Sequence, residues 1–567
     1  MENQQNNDVV VDRGEAKWSD LWLKEDYWAI WIGFFILLVS AFMIFGARGD
    51  IEKKMADYNA VIAAEKAKPF KTVELIQATA AKKALTGASL PSVKSLIGIT
   101  KTPGKWSSNP VASFVTPAKG DQASADAAKA RAAEALTAAK AAQTAAADAQ
   151  FKDEALNKAA VDAVSAWESA DKAAAAAKVS AGSNIFLSLV ILGLGLGVMF
   201  SIGMMAMGNN VPQFFIGFLG VFVLSVFANF LGGFAPTAKY GVNAEIMSIV
   251  LGLLIANTIG TPKWIMPAVQ VEYYIKAGLV LLGAEVLFGK ILAIGVPGIF
   301  VAWVVTPIVL ISTFIFGQKI LKMPSKTLNI VISADMSVCG TSAAIATAAA
   351  CRAKKEELTL SVGLSLAFTA IMMIALPALI KAIGLPEVLG GAWIGGTIDA
   401  TGSVAAAGAF LGPKALQVAA TIKMIQNVLI GVTAFCVAMY WCTKVECNEG
   451  QQVTAMEIWN RFPKFVIGFL AVSIVCSVVS GNLGNDLATS MIDKGVVSVA
   501  KAFRGWMFAL AFVSIGLATN FRELASYFKG GKPIILYVVG QSFNLCLTLL
   551  MAWIMFYKVF PDITASI

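Results

Sequence analysis

Histidine is absent from all 567 residues. That excludes imidazole acid–base catalysis, Ser-His-Asp triads and His-ligated metal sites. Charge is scarce as well: Asp, Glu, Lys and Arg make up 14% of the chain against 57% hydrophobic residues. A soluble globular class does not fit that balance. No nucleophile–base constellation is visible, so an enzyme is not expected. The seven cysteines lie mostly inside apolar runs and include no CxxC spacing. No metal site is expected from them, and the closest pair, Cys442 and Cys447, reads as structural. No small-residue cleavage site marks the first hydrophobic run near Tyr27, which therefore reads as a retained span and not a signal peptide. The net charge of +9 calls for no nucleic-acid partner, since basic loops are expected wherever loops face the cytoplasm.

What the chain does contain is many apolar runs of about 20 residues, each long enough to cross a bilayer. The expected class is an all-α polytopic membrane protein in the bacterial inner membrane. Residues 1–26 read as a cytoplasmic tail and 27–47 as the first span. Residues 48–182 form an Ala-rich helical section outside the membrane, and 183–567 the membrane domain. Further spans are placed at Ile185–Ala206, Phe214–Leu231, Ile246–Ile259, Tyr273–Leu287, Gly298–Phe316, Leu358–Ile383, Ala415–Trp441, Phe465–Val479, Ala500–Leu517 and Ile534–Phe556. From Ala123 to Lys178 alanine dominates, with Lys, Glu, Asp and Gln interleaved. One or two long helices follow from that composition. Without a Leu-rich stripe, a tight coiled coil is not expected. The section reads as a spacer or a subunit contact.

Two stretches of spanning length have contents wrong for a lipid-facing helix. Leu328–Cys351 carries Asp335, Ser337, Cys339, Gly340, Thr341 and Ser342 at its centre. Gly390–Gly412 carries Asp399, Thr401, Gly402 and Ser403. A mid-bilayer carboxylate costs about 2.5–3.5 kcal/mol on insertion scales, so it normally faces a cavity and marks a site. Glycines and small hydroxyls let a helix break where its freed backbone groups line a pocket. Two such segments in one chain point to the midplane site of a secondary transporter. Lys423 and Asn427 lie four residues apart on one face of the following helix. That lysine is expected either to pair with Asp399 or Asp335, or to meet an anionic substrate. Asp335 and Asp399 are the ion-coupling candidates. The hydroxyls and backbone donors around them are candidates for substrate, or oxygen ligands for Na⁺. Among the other span charges, Glu285 is expected to reach headgroups or the site, and Glu272, Lys276 and Arg504 to snorkel.

Basic residues collect in four loops, at Lys319/Lys322/Lys326, Arg352/Lys354/Lys355, Lys444/Arg461/Lys464 and Arg522/Lys529/Lys532. With the N-terminus inside, all four face the cytoplasm only if Leu328–Cys351 is a re-entrant hairpin instead of a crossing. An opposed hairpin at Gly390–Gly412 restores the later count. An internal repeat supports this: the stretch from Lys276 resembles that from Met507, matching Gly283 to Gly516, Phe288 to Phe521 and Pro297 to Pro533. The two copies would run in opposite directions, an inverted repeat.

GLVLLG (Gly278–Gly283), VCGTSAAI (Val338–Ile345), TIDATGSVAAAG (Thr397–Gly408) and IKMIQNVLI (Ile422–Ile430) resemble, in that order, blocks of the bacterial sulfate exporter family. The resemblance covers about Val211 to Phe556. It implies an elevator-like or bile-acid-symporter-like fold and movement of a small anion such as sulfate. Cys339, Gly340, Ser342, Thr401, Lys423 and Asn427 keep the family residues. Asp399 stands where the family has His, Ala400 at its Asp, and Ser403 at its Gln. Glu285 replaces a basic residue and Asp335 a glycine. These changes add acids to the site. The expectation is thus a secondary transporter of a small anion, coupled to Na⁺ or H⁺, working as a homo-oligomer with a dimer favoured and needing no cofactor beyond a Na⁺ ion. A passive anion channel, or a receptor built on the external section, are the rivals.

Overall fold

A computed structural model describes residues 17–118, 120–180, 182–238, 243–286, 288–445, 456–527 and 531–567. The first sixteen residues of the expected tail, Lys529, Cys447 and the side chain of Cys442 lie outside the described residues. Away from water a backbone must satisfy its own N–H and C=O groups, which is why the apolar runs become helices. Among the described residues nine helices are long and apolar enough to cross a membrane. Many of their outward side chains are exposed and apolar, such as Phe35, Leu38, Phe42, Leu187, Ile191 and Val198. Apolar surface of that extent belongs in lipid, not water. The chain is a mostly helical, multi-pass membrane protein.

The first span is α1 (Glu25–Phe45). The Ala-rich section contains α2 (Arg48–Lys66), α3 (Val73–Ala84), α4 (Gln122–Asp148) and α5 (Glu154–Ala177). The one or two long helices expected over Ala123–Lys178 are two, and they pair. Helices α4 and α5 pack tightly along their length without any Leu stripe. Ala125, Ala132, Ala139 and Ala146, one every heptad, are buried against a seam that includes Ala160, Val164 and Trp167. Alanine seams let two backbones approach more closely than leucine would. A two-stranded clasp, β1 (Val115–Thr116) paired antiparallel with β2 (Ser183–Asn184), closes the base of this helical pair. The section is docked on the membrane domain: Lys82 pairs with Asp486 at 2.7 Å, Ser490 Oγ donates to Leu85 O, and Trp106 stacks on Phe230.

The membrane domain continues with α6 (Phe186–Ala206), α7 (Val211–Gly232), α8 (Ala244–Thr258), α9 (Val271–Glu285) and α10 (Phe288–Ile320). Next come α11 (Lys326–Asp335), α12 (Gly340–Cys351), α13 (Lys355–Ala382), α14 (Glu387–Thr397) and α15 (Thr401–Leu411). The last are α16 (Pro413–Asn427), α17 (Leu429–Lys444), α18 (Phe465–Leu483), α19 (Asn485–Ala518) and α20 (Lys532–Val559). The expected span Ala415–Trp441 corresponds to one continuous apolar run, Pro413–Trp441, in which only Val428, itself in helical conformation, stands between α16 and α17. Those expected at Gly298–Phe316 and Ala500–Leu517 are longer than their apolar centres. The largest core is built by α1, α6–α9, α18 and α19. Within it α8 and α19 touch backbone to backbone, because a Cβ on Gly252 would fall 2.5 Å from Val513 O. Small residues make such approaches possible between membrane helices. The remaining helices build separate, smaller cores. Gly402, Ala405 and Ala406 of α15 form part of the contact between the two bodies.

Both interrupted segments are helical hairpins. Ser325 and Thr327, at the start of α11, donate to the carboxylate of Glu357, which lies just past the end of α12. The first hairpin thus returns to the end it left. In the second, Gly412 lies against Glu387, so the end of α15 comes back to the start of α14. The two bases sit at opposite ends of α13. Its N-terminal turn holds the first through Glu357, and near its C-terminus Ile380 packs on Gly390 of the second. All four basic loops share one end of the molecule. The Lys326 ammonium sits 6.0 Å from the Trp441 ring, and Lys532 Nζ donates to Lys322 O at 2.9 Å. The N-terminal start joins them, as Lys464 N–H donates to Asp26.

Candidate functional site

The tips of the two hairpins meet halfway along α13. Backbone geometry fixes the first tip: Gly340 has φ +43°, and a Cβ there would fall 3.2 Å from Ser365 Oγ and 3.4 Å from Asp399 Cβ. Glycine alone satisfies both demands. The same point lies 3.8 Å from Asp335 Oδ1, so the carboxylates of the two hairpins are close neighbours. Both are buried, at 0% and 2% exposure. Asp335 Oδ2 accepts from Ser361 Oγ at 2.6 Å, while its Oδ1 has no partner. Asp399 accepts from the Tyr537 hydroxyl and from Ser365 Oγ.

Breaking a helix frees carbonyls that must find donors. Here five tip carbonyls are capped from the neighbouring helices. Asn544 Nδ2 reaches Met336 O at 3.3 Å, Gln426 Nε2 reaches Ser337 O at 3.1 Å and Gly396 O at 3.3 Å, and Gln541 Nε2 reaches Thr397 O at 3.0 Å. The fifth carbonyl is capped by Lys423, whose ammonium bonds Val338 O at 2.7 Å and Gln426 Oε1 at 2.8 Å. The lysine is 1% exposed, and neither of these contacts is to an aspartate. It also lies behind the cavity wall. Its direct contacts are thus a tip carbonyl and an amide oxygen of its own helix, while Asp335 and Asp399 are buried in the same cluster.

In front of the tips lies a cavity of about 660 Å³ between the two bodies of the molecule. Cys339, Thr341, Ser342, Thr401, Gly402, Ser403 and Asn427 line its floor. Its mouth, at the end of the basic loops, carries Lys24, Glu25, Asp26, Arg461 and Lys464. Of the substrate candidates, Ser337 and Gly340 sit outside this lining. The Ser337 hydroxyl donates back to Ser333 O in its own helix. The helices α12 and α15 begin at the cavity with no side-chain cap on either N-terminus. Those termini converge, with Cys339 Sγ 3.9 Å from Thr401 Oγ1. Asn427 Nδ2 donates to Thr401 Oγ1 at 3.2 Å, and the other end of this buried amide has no partner. Uncapped N–H groups and the positive poles of two helices facing one space favour an anion there.

The remaining span charges are accounted for elsewhere. Glu285 accepts from Arg504 through both oxygens, 2.5 and 3.1 Å away. Lys276 bridges Glu25 and Asp26 at 2.8 Å, with Glu272 at 3.7 Å. Sequence reasoning missed Gln426, Gln541, Asn544, Ser361, Ser365 and Tyr537. The available signal was polarity inside otherwise apolar spans: Gln541 and Asn544 are three residues apart, and Ser361 and Ser365 four.

Two opposed hairpins meeting beside a cavity define a helical membrane protein with a buried polar centre. The chain belongs to the family described as Conserved hypothetical protein 698, which it matches over residues 216–537. It is similar to a UPF0324 membrane protein of Nitratidesulfovibrio vulgaris, at 62% identity over 587 residues and 100% of both chains. A second relative is UPF0324 membrane protein RB9488 of Rhodopirellula baltica, 56% identical over 63% of this chain and 66% of its own. UPF0324 inner membrane protein YeiH of Escherichia coli is 26% identical over 54% of this chain and 85% of its own. No solved structure matches.

Proposed function

We propose that the protein is a secondary transporter of a small anion, sulfate-like or a small organic acid, working by alternating access in the bacterial inner membrane. The observation that carries this reading is the convergence of two uncapped helix N-termini on one cavity floor. The hairpins would be re-entrant and related by the inverted repeat. In support, the two repeat stretches lie against each other: a Cβ on Gly278 of the first would fall 2.5 Å from the Phe508 ring of the second. The hairpin body would move against the body built on α1, α6–α9, α18 and α19, sliding on Gly402, Ala405 and Ala406. The cavity opens at the basic end, which by loop charge is the cytoplasmic side. The N-terminus would then be cytoplasmic and the external section extracytoplasmic. No reaction is assigned to the protein, and sulfate export, suggested by the sequence blocks, is one case of this reading.

A thermal-shift screen of the purified protein against small anions tests the site. An anion at a hundredfold its Kd stabilises by about 2.7 kcal/mol. A saturable shift should appear with sulfate or a small carboxylate, and Asn427→Leu should remove it. If no anion in the panel stabilises the parent protein, the anion site is wrong. Topology has its own check. A single cysteine at Arg352–Lys355, in an otherwise Cys-free functional protein, should resist impermeant thiol reagents in right-side-out cells. Ready labelling from outside would overturn the re-entrant assignment of α11 and α12.

A further inference from the structure

Three formal charges are buried at the hairpin tips: Lys423, Asp335 and Asp399. One positive and two negative charges leave an excess of one negative, in a place where an uncompensated charge is costly. One carboxylate oxygen, Asp335 Oδ1, has no partner at all. We infer that Asp335 and Asp399 together hold one exchangeable proton, which brings the buried cluster to neutrality and whose uptake or release accompanies movement of the hairpins.

The surroundings suit a proton better than a metal cation. A sodium ion at a broken helix draws on freed backbone carbonyls. Here the carbonyls of Met336, Ser337, Val338, Gly396 and Thr397 already accept from Asn544, Gln426, Lys423 and Gln541. The Lys423 ammonium bonded at the first tip would repel a second cation. The groups that face the two acids are otherwise hydroxyls, able to donate or accept. They are Ser361 and Ser365 on α13, and Tyr537 on α20. Cys339 and Thr401 stand at the cavity edge, and Glu272 of α9 lines the cavity. The proton therefore sits directly behind the cavity floor, one layer from the proposed anion position. What the proton drives depends on the transport reading; its presence does not.

The test is a pH titration of the purified full-length protein by infrared spectroscopy, with and without ¹³C-labelled aspartate, in NaCl and in KCl. The C=O stretch of a protonated aspartic acid should persist at neutral pH, equivalent to one proton per molecule, and be the same in both salts. Asp335→Asn and Asp399→Asn should each abolish it, because the remaining carboxylate then balances Lys423. Should either variant fail to fold, the titration of the parent protein still decides. Absence of a protonated aspartate at neutral pH, its loss when Na⁺ replaces K⁺, or its survival in a folded single variant would each overturn the inference. No anion enters the measurement, so a failed anion screen and a failed proton titration remain distinguishable.

Discussion

Lys423→Met is expected to destabilise the purified protein by about 3–5 kcal/mol, the usual cost of removing one partner from a buried charge cluster. Two effects add. The Val338 carbonyl and Gln426 Oε1 lose their ammonium donor, and Asp335 and Asp399 lose the one cation buried with them. Methionine is about the right length to fill the space, so a cavity contributes little. Thermal unfolding followed by size-exclusion fluorescence would measure the loss. Lys423→Arg keeps the charge and should recover part of the stability. A methionine variant as stable as the parent, but with a weakened anion shift, would return Lys423 to the substrate and overturn its backbone role.

The second large effect concerns the fit of the second hairpin. Helix α14 lies on α16 through Gly391 and Gly395. Cβ atoms on them would fall 2.6 Å from Ala415 O and Ala419 O respectively. Both obstacles are backbone atoms, so no rotamer change relieves the clash. Overpacking of this kind costs about 1–3 kcal/mol or more at each site. Gly391→Leu combined with Gly395→Leu should prevent the hairpin from seating and send the protein to aggregate on detergent extraction. Gly195→Leu is the control, since a side chain there meets open space. A folded, monodisperse double variant would mean that α14 and α16 do not pack as described.

The sequence carried the architecture further than the site. Asp335 and Asp399 were conspicuous because acids do not belong in apolar runs, and they do meet at the hairpin tips. Loop charge alone placed Arg352 with the other basic loops, and the contact of Ser325 and Thr327 with Glu357 bears that grouping out. The direct contacts of Lys423 were not legible, because a pattern on one helix shows which residues share a face, not which atom each will reach. The nearest acceptor was a backbone carbonyl, and no side-chain pattern records carbonyls. Gln541 and Asn544 were missed for a related reason. They belong to the last span, and nothing local ties them to tips some 140 to 200 residues earlier. The Ala-heptad seam of α4 and α5 escaped because a rule tuned to leucine does not register alanine as an interface residue.

The caps on the hairpin tips also set an order of assembly. As the ribosome releases the chain, both hairpins emerge before α20, yet α20 supplies Asn544 to Met336 O, Gln541 to Thr397 O and the Tyr537 hydroxyl to Asp399. Until Lys532–Val559 is made and inserted, neither break in the helical backbone is fully capped. The final span is therefore the keystone of biogenesis: chains arrested before Lys532 should carry unseated hairpins and be open to membrane proteases, whatever their earlier spans have achieved.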